Sequence, residues 1–190
     1  VAGGVVATPR SCGASSSFGH HDEGQEPMRR IGIDAADVRI LCALQQHGQL
    51  SKTKLSELVN LSPTPCWIRF NRLKKEGLIR GYHADIAVDK IKNFTKVVVT
   101  VSLKEHRKTD FERFEKHICQ VDEVVECLAT GGGMDYVLKV VTRSLVDFQQ
   151  VMDELLSAEL GIDRYVTYIR TREIKSSQPD LAKLMFEPDN

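Results

Sequence analysis

No run of about 18 apolar residues, the minimum for a helical membrane span, occurs in the chain, so no membrane partner is expected. Net charge is missing as well: 26 Lys and Arg balance 26 Asp and Glu. Steering of the whole protein toward an anion is thereby excluded, and charge has to be read segment by segment. None of the five cysteines forms a C-x-x-C pair, so the close ligand spacing of a structural zinc site is lacking and no metal is expected. Cys42, Cys66, Cys119 and Cys127 stand in apolar-periodic segments, the habit of buried, reduced thiols in a cytoplasmic protein. There is no G-x-x-x-x-G-K-[ST] phosphate loop, no carboxylate pair on a helix face and no Ser-His-Asp cluster. His47, His83, His106 and His117 are scattered. We therefore expect no catalytic residue, no cofactor and no enzyme activity.

At 190 residues, 42% hydrophobic and 27% charged, the chain has the composition of a soluble protein with one medium or two small domains. Residues 1–30 are Gly-, Ser- and Ala-rich without helical or strand periodicity and read as a disordered extension. They also lack the basic start and apolar centre of a signal peptide. His20-His21 reads as tail composition, and Met28 as the start of the folded unit.

Three short helices follow. Asp34 suits an N-cap, with Asp37 three residues on, both favourable at the positive end of a helix dipole. Val38, Ile40, Leu41 and Leu44 give that helix its apolar face, and His47-Gly48 ends it. Ser51 caps a second helix with Leu55, Leu58 and Val59 inward, and Asn60 stops it. Ser62 caps a third. Pro63 occupies the first helical position, where its missing N–H costs nothing. Cys66, Phe70 and Leu73 recur at i, i+4 and i+7 as core, and Gly77 closes the helix. Residues 79–85 read as a short strand. Three helices in tight succession and then a strand describe a winged helix-turn-helix over 31–85. Residues 51–83 carry seven Lys or Arg against two Glu, so the neutral whole contains a basic segment. That is the footprint of a nucleic-acid partner when it coincides with this helix pattern.

Residues 86–96 read as a linker, after which the period changes to two. Strands are expected at 97–103, 124–130, 134–142 and 164–174, and helices at about 109–120 and from a cap at Ser144 to Gly161. The order β-α-β-β-α-β is the ferredoxin-like arrangement, spanning 97–175. The overall class is α+β. Residues 176–190 form a polar tail in which Leu181, Leu184, Met185 and Phe186 suit a short docking helix.

LSPTPC at 61–66, with Arg69, Arg72 and Leu73, and GLIRGY at 77–82 resemble the DNA-binding half of the Lrp/AsnC family of bacterial and archaeal regulators. GGGMDYVLKV at 131–140 resembles the family's effector-loop region. The resemblance covers about residues 31–175 and both domains in order. It implies a transcription regulator on double-stranded DNA and a homodimer that assembles further, into a tetramer or octamer. It also implies a small amino-acid-like effector. The combination of GGGMDY with LGIDRYVTY at 160–168 is similar to the subgroup linked to ectoine degradation, which implies diaminobutyrate-type effectors. An architectural DNA-binding protein without an effector is the alternative.

In a helix-turn-helix the second helix enters the major groove by its N-terminal residues. Ser62 begins that helix, whose N-terminal amides suit a phosphate. Thr64, Pro65 and Trp67 are placed to reach bases, unless Trp67 serves packing. Arg69 and Arg72 match guanine or phosphate bidentately, unless Arg69 makes a structural ion pair. Lys74 and Lys75 suit backbone phosphates, as do Ser51, Lys52 and Lys54 on the preceding helix. In the C-terminal domain Gly131, Gly132 and Gly133 clear side chains from a loop whose N–H groups suit a carboxylate. The resemblance places Asp135 and Tyr136 near the effector, with Asp135 either binding an ammonium group or fixing the loop. Ala129, Met134, Tyr168 and Arg170 complete the expected pocket. Two departures stand out: Gly133 replaces the family's common Asp, and Ile68 stands where an acidic residue is frequent.

Overall fold

The computed structural model describes residues 31–186; Cys12, the His20-His21 pair and Met28 lie outside the described residues. Two compact units are present: residues 31–86 with 174–186, and residues 87–173.

The first unit is built on three helices, α1 (Ala35–His47), α2 (Lys52–Leu58) and α3 (Pro63–Lys75). Asp34 caps α1 in a reciprocal box: its carboxylate accepts from the Ala36 and Asp37 N–H groups, and Asp37 accepts from the Asp34 N–H. Gly48 ends α1 at φ +70°, and Asn60, at φ +53°, turns the chain between α2 and α3. Ser51 caps α2 through the Lys54 N–H. Ser62 stands at the N-cap of α3 without a side-chain capping bond. Ile40, Leu44, Leu55, Val59, Cys66, Phe70 and Leu73 meet in one core, as the apolar spacing predicts. The strand expected at 79–85 is not formed. Ile79 and Tyr82 still seal the core, so the apolar pattern is real. A strand, however, needs a paired neighbour, and none is present in this unit among the described residues. The chain's end contributes α6 (Leu181–Phe186), which packs on α1, and Gln45 donates to the Pro179 carbonyl.

The second unit opens with a single 3-10 turn at Val88–Lys90, followed by β1 (Thr95–Leu103), α4 (Lys108–Ile118), β2 (Val124–Ala129), β3 (Tyr136–Thr142), α5 (Leu145–Ser157) and β4 (Ile162–Ile169). All pairings are antiparallel, in the order β2-β3-β1-β4, which is the ferredoxin-like sheet. Val97, Val99, Val101 and Leu103 alternate inward with Tyr136, Leu138 and Val140. They meet Phe114 and Ile118 of α4 and Phe148, Val151, Met152 and Leu155 of α5. Ser144 caps α5 through the Asp147 N–H. Among the described residues the helices cover this face alone. On the other, Leu128, Val166 and Tyr168 are exposed, beside half-buried Val98 and Val137. The third and fourth strands run 136–142 and 162–169 rather than 134–142 and 164–174, because β4 pairs with β1 only as far as Ile169. Cys42, Cys66 and Cys127 are free thiols. The expectation of reduced cysteines fails at Cys119, which is disulfide-bonded.

The Asp34 cap has a pH signature. The Asp37 N–H, then the Arg69 guanidinium, hold the Asp34 carboxyl below its ordinary value. A depressed carboxyl stabilises the fold fully above its unfolded value, about 3.9, and loses that contribution as pH falls through the folded value. Amide exchange at Ala36 and Asp37 should therefore lose protection on acidification below about pH 4. Asp34→Asn, which keeps a capping oxygen, should flatten that response. An identical acid limb in both proteins would place the titration elsewhere.

Candidate nucleic-acid interface and effector loop

The face of α3 opposite its core residues carries the side chains free to meet a partner. Thr64, Ile68, Asn71 and Lys75 recur at i, i+4, i+7 and i+11 and are all exposed, Ile68 to 65%. Pro63 and Pro65 stand in the first turn. Neither has an N–H, so of the four donors a helix start usually leaves unbonded only those of Ser62 and Thr64 remain. The expected amide cradle for phosphate is thus half its usual size. Trp67 stacks on Phe70, with ring centroids 4.8 Å apart, and keeps one edge exposed.

Arg69 and Arg72 are not free. Arg69 Nη1 lies 2.6 Å from Asp34 and 3.0 Å from Asp37. Arg72 Nη2 lies 2.5 Å from Asp37, and its Nη1 donates to the Gly32 carbonyl at 3.2 Å. Only 1% of the Asp37 side chain is exposed. Both guanidiniums thus turn toward the start of α1, where they close one side of an open groove of about 650 Å³ with Pro65 and Ile68. The structural ion pair, weighed as the alternative for Arg69, is what the structure contains, and Arg72 shares it. The local basic surplus shrinks by the same two charges. Lys52, Lys74, Lys75 and Arg80 have no acidic partner among the described residues, and Lys54 meets Glu57 at 3.6 Å on an exposed surface.

The expected effector residues do not gather in one place. The loop between β2 and β3 closes on Asp135: its N–H donates to the Val101 carbonyl, its carbonyl accepts from Thr130, and its carboxylate accepts from the Leu103 N–H at 2.7 Å. His106 Nε2 stands 3.2 Å from the same carboxylate. Asp135 therefore fixes the loop. Tyr136 points to the helical side, is 2% exposed and donates to Glu115 at 2.8 Å; burial and that carboxylate push its phenol far above the ordinary range. Ala129 pairs with Tyr136 and shares its side of the sheet. Tyr168 and Arg170 lie on the opposite side. Tyr168 faces Val98, roughly 10 Å along β1 from Val101 at 3.3 Å per residue. Arg170 is further still and is held by Glu173 at 2.5 Å and Asp89 at 3.6 Å. Gly131, Gly132, Gly133 and Met134 stay together at the loop. The residue that sequence reasoning missed there is Arg164. It faces Ser102, its guanidinium reaches Met134 Sδ at 3.7 Å, and it has no acidic partner among the described residues. Only the strand register brings it to the loop.

Residues 33–80 match the model of a winged helix-turn-helix DNA-binding domain, and residues 96–180 that of the Lrp/AsnC ligand binding domain. The transcriptional regulatory protein DoeX of Halomonas elongata is 42% identical over 143 residues, covering 75% of this chain and 90% of that protein. The chain belongs to the Lrp/AsnC family of transcriptional regulators.

The leucine-responsive regulatory protein of Haemophilus influenzae is 33% identical, over 80% of this chain and 92% of that one. A Neisseria meningitidis transcriptional regulator, solved in complex with L-Met, superposes with a TM-score of 0.69 at 29% identity, covering 77% of this chain and 94% of that one. An AsnC family regulator from Agrobacterium tumefaciens gives 0.73 at 26% identity, over 81% and 100%. As an Lrp/AsnC protein the chain is a DNA-binding transcriptional regulator with a ligand-binding domain, and not an enzyme. Among the described residues no helix is long and apolar enough to cross a membrane.

In this regulator the Asp37 carboxylate joins α1 to α3 at two points. Asp37→Ala leaves two guanidiniums without their shared anion and should cost about 1–3 kcal/mol, the scale of hydrogen bonds to charged groups. A urea titration reads it; a loss within 0.3 kcal/mol would show that solvent replaces the network.

Proposed function

We propose that the protein is a cytoplasmic, sequence-specific regulator whose assembly or DNA binding responds to an amino acid or an amino-acid-derived metabolite. The observation that carries the effector reading is the loop at 131–133. Gly132 needs a glycine for its backbone, at φ +132°, but Gly131 and Gly133 have ordinary backbones, and a Cβ at either would meet nothing within 4 Å. Nothing among the described residues requires them to be small. Their N–H groups make no backbone hydrogen bond among the described residues, and the Arg164 guanidinium stands beside Met134. Unbonded N–H groups next to a free cation suit a carboxylate. Asp135, engaged by Leu103 and His106, leaves an ammonium group to other partners. The higher identity to DoeX than to the leucine-responsive protein, with the GGGMDY and LGIDRYVTY strings, favours a diamino-acid effector of the ectoine-catabolic type.

The open sheet face, with Leu128, Val166 and Tyr168 exposed, suits a homodimer that pairs sheet to sheet and assembles to a tetramer or octamer. Its two recognition helices then meet adjacent half-sites. The linker 86–96 connects the DNA-binding and sensing domains. A ligand at the glycine loop acts through its differential affinity for two assembly states. On DNA, Lys74, Lys75, Lys52 and Lys54 contact phosphates, with Ser51 and the Ser62 and Thr64 amides beside them.

Two measurements test this. Lys74→Ala and Lys75→Ala should each weaken binding across sequences and lower the slope of log affinity against log salt by about one; an unchanged slope removes these lysines from the phosphate contacts. Calorimetry with amino acids and diamino acids should find a ligand for the parent protein. Gly133→Val and Arg164→Ala should lose at least about tenfold in its affinity, the scale of one charge-assisted bond, with the melting temperature unchanged. A silent panel would favour an architectural DNA-binding protein, and normal binding by both variants would move the site away from the loop.

A further inference from the structure

We propose that the recognition helix reads A·T base pairs through Thr64, Ile68 and Asn71, and that Arg69 and Arg72 position this helix instead of reading bases. The inference rests on the DNA-binding reading above and specifies the chemistry of its target.

Three observations carry it. The first is direction. Cys66, Phe70 and Leu73 are the buried side of α3, and at 100° per residue Ile68 lies almost opposite their mean, between Thr64 and Asn71 on one side and Arg72 on the other. The side chains that project furthest from the core are therefore those of Thr64, Ile68, Asn71 and Lys75: a hydroxyl with a methyl, a branched alkyl group, an amide and, in the last turn, an ammonium group. The second is availability. The Asn71 amide has no partner among the described residues, and Ile68 is 65% exposed on a helix where Trp67, at 37%, Phe70 and Leu73 are more covered. The third is the engagement of both arginines. Arg69 divides one terminal nitrogen between Asp34 and Asp37, and Arg72 gives one to Asp37 and the other to Gly32. A guanidinium reads guanine by a parallel fork onto O6 and N7. For Arg72, both arms of the fork are already committed.

The major groove distinguishes these chemistries. Adenine presents an N7 acceptor and an N6 donor, which a side-chain amide matches in a bidentate pair. Thymine presents a C5 methyl, which takes an apolar contact. Guanine offers two acceptors and no methyl, so an unpartnered Ile68 at the centre of the face gains nothing over a G·C pair and loses the hydration of its acceptors. Lys75, on the same stripe, and Lys74 beside it supply charge to the flanking phosphates without base preference.

The test uses the full-length protein. A random double-stranded DNA library is first selected with the parent protein. The enriched site is then resynthesised with deoxyuridine for single thymines, which deletes only the C5 methyl, and with 7-deazaadenine for single adenines, which deletes only N7. At one adenine, the 7-deaza substitution should weaken the parent roughly 5- to 100-fold and leave Asn71→Ala unaffected. At one thymine, deoxyuridine should weaken the parent several-fold and leave Ile68→Ala unaffected. Arg69→Ala should retain the same base preferences at every position. Equal sensitivity of parent and variants to both analogues, or loss of base preference in Arg69→Ala with Asn71→Ala silent, would overturn the proposal. Failure of the parent to enrich any sequence would instead overturn the DNA-binding reading beneath it.

Discussion

The recognition helix is held by one buried carboxylate. Asp37 sits in the first turn of α1, where its side chain already accepts the Asp34 N–H, and it also receives guanidiniums from two successive turns of α3. A buried carboxylate is costly unless its oxygens are satisfied; here the backbone and two arginines satisfy it together. The geometry fixes α3 in rotation as well as in distance, because Arg69 and Arg72 are three residues apart and so share one side of the helix. With that side turned to α1 and the Cys66, Phe70 and Leu73 side turned to the core, the orientation of the remaining side follows. The electrostatic outcome is a helix whose arginines are internally neutralised and whose free cations are the lysines at its C-terminal end. There they also oppose the negative end of the helix dipole.

The second unit depends on a sheet with one covered face. The alternation in β1 and β3 buries every second residue beneath α4 and α5, and the intervening residues form a face with no helix over it among the described residues. A sheet of this kind leaves apolar surface for a second molecule. The glycine loop lies at one end of the same sheet, fixed by Asp135 to β1 through the Val101 carbonyl and the Leu103 N–H. Movement at this loop is therefore linked directly to the strand at the centre of the sheet. A ligand at the proposed site would act on the strand that pairs with both β3 and β4, without a long path through the core.

Much of this was legible along the chain, and the exceptions share a physical cause. Helix caps are local, so Asp34, Ser51 and Ser144 could be assigned from their own neighbourhoods, as could the Cys66–Phe70–Leu73 face. The βαββαβ order followed from the change of period and the glycine turns. What depended on contacts distant in sequence was not legible. Arg69 and Arg72 look like free cations until Asp34 and Asp37, some 35 residues earlier, are placed beside them. Tyr168 and Arg170 look close to Asp135 until the antiparallel register sets them along the far part of β1. Arg164 had no signal in sequence, since only the pairing with Ser102 carries it to the loop. The strand expected at 79–85 had an apolar pattern but no ladder, because pattern predicts burial and pairing requires a partner.

The exposed alkyl group of Ile68 and the engagement of the arginines bear on one quantity, the affinity of a single helix for DNA. A helix that reads bases through a methyl, an alkyl group and one amide, with two lysines for phosphates, gains less per copy than one with free guanidiniums. Weak contacts of this kind become useful when several copies are linked, because each later contact is made at the high effective concentration set by the assembly. In the proposed dimer and its higher assemblies, occupancy is then controlled chiefly by which helices can engage together. A ligand that alters the packing of the sheets can change DNA binding without touching any residue on α3. The neutral net charge fits the same logic: with little general attraction to DNA, the protein's position depends on the geometry of the assembly more than on charge.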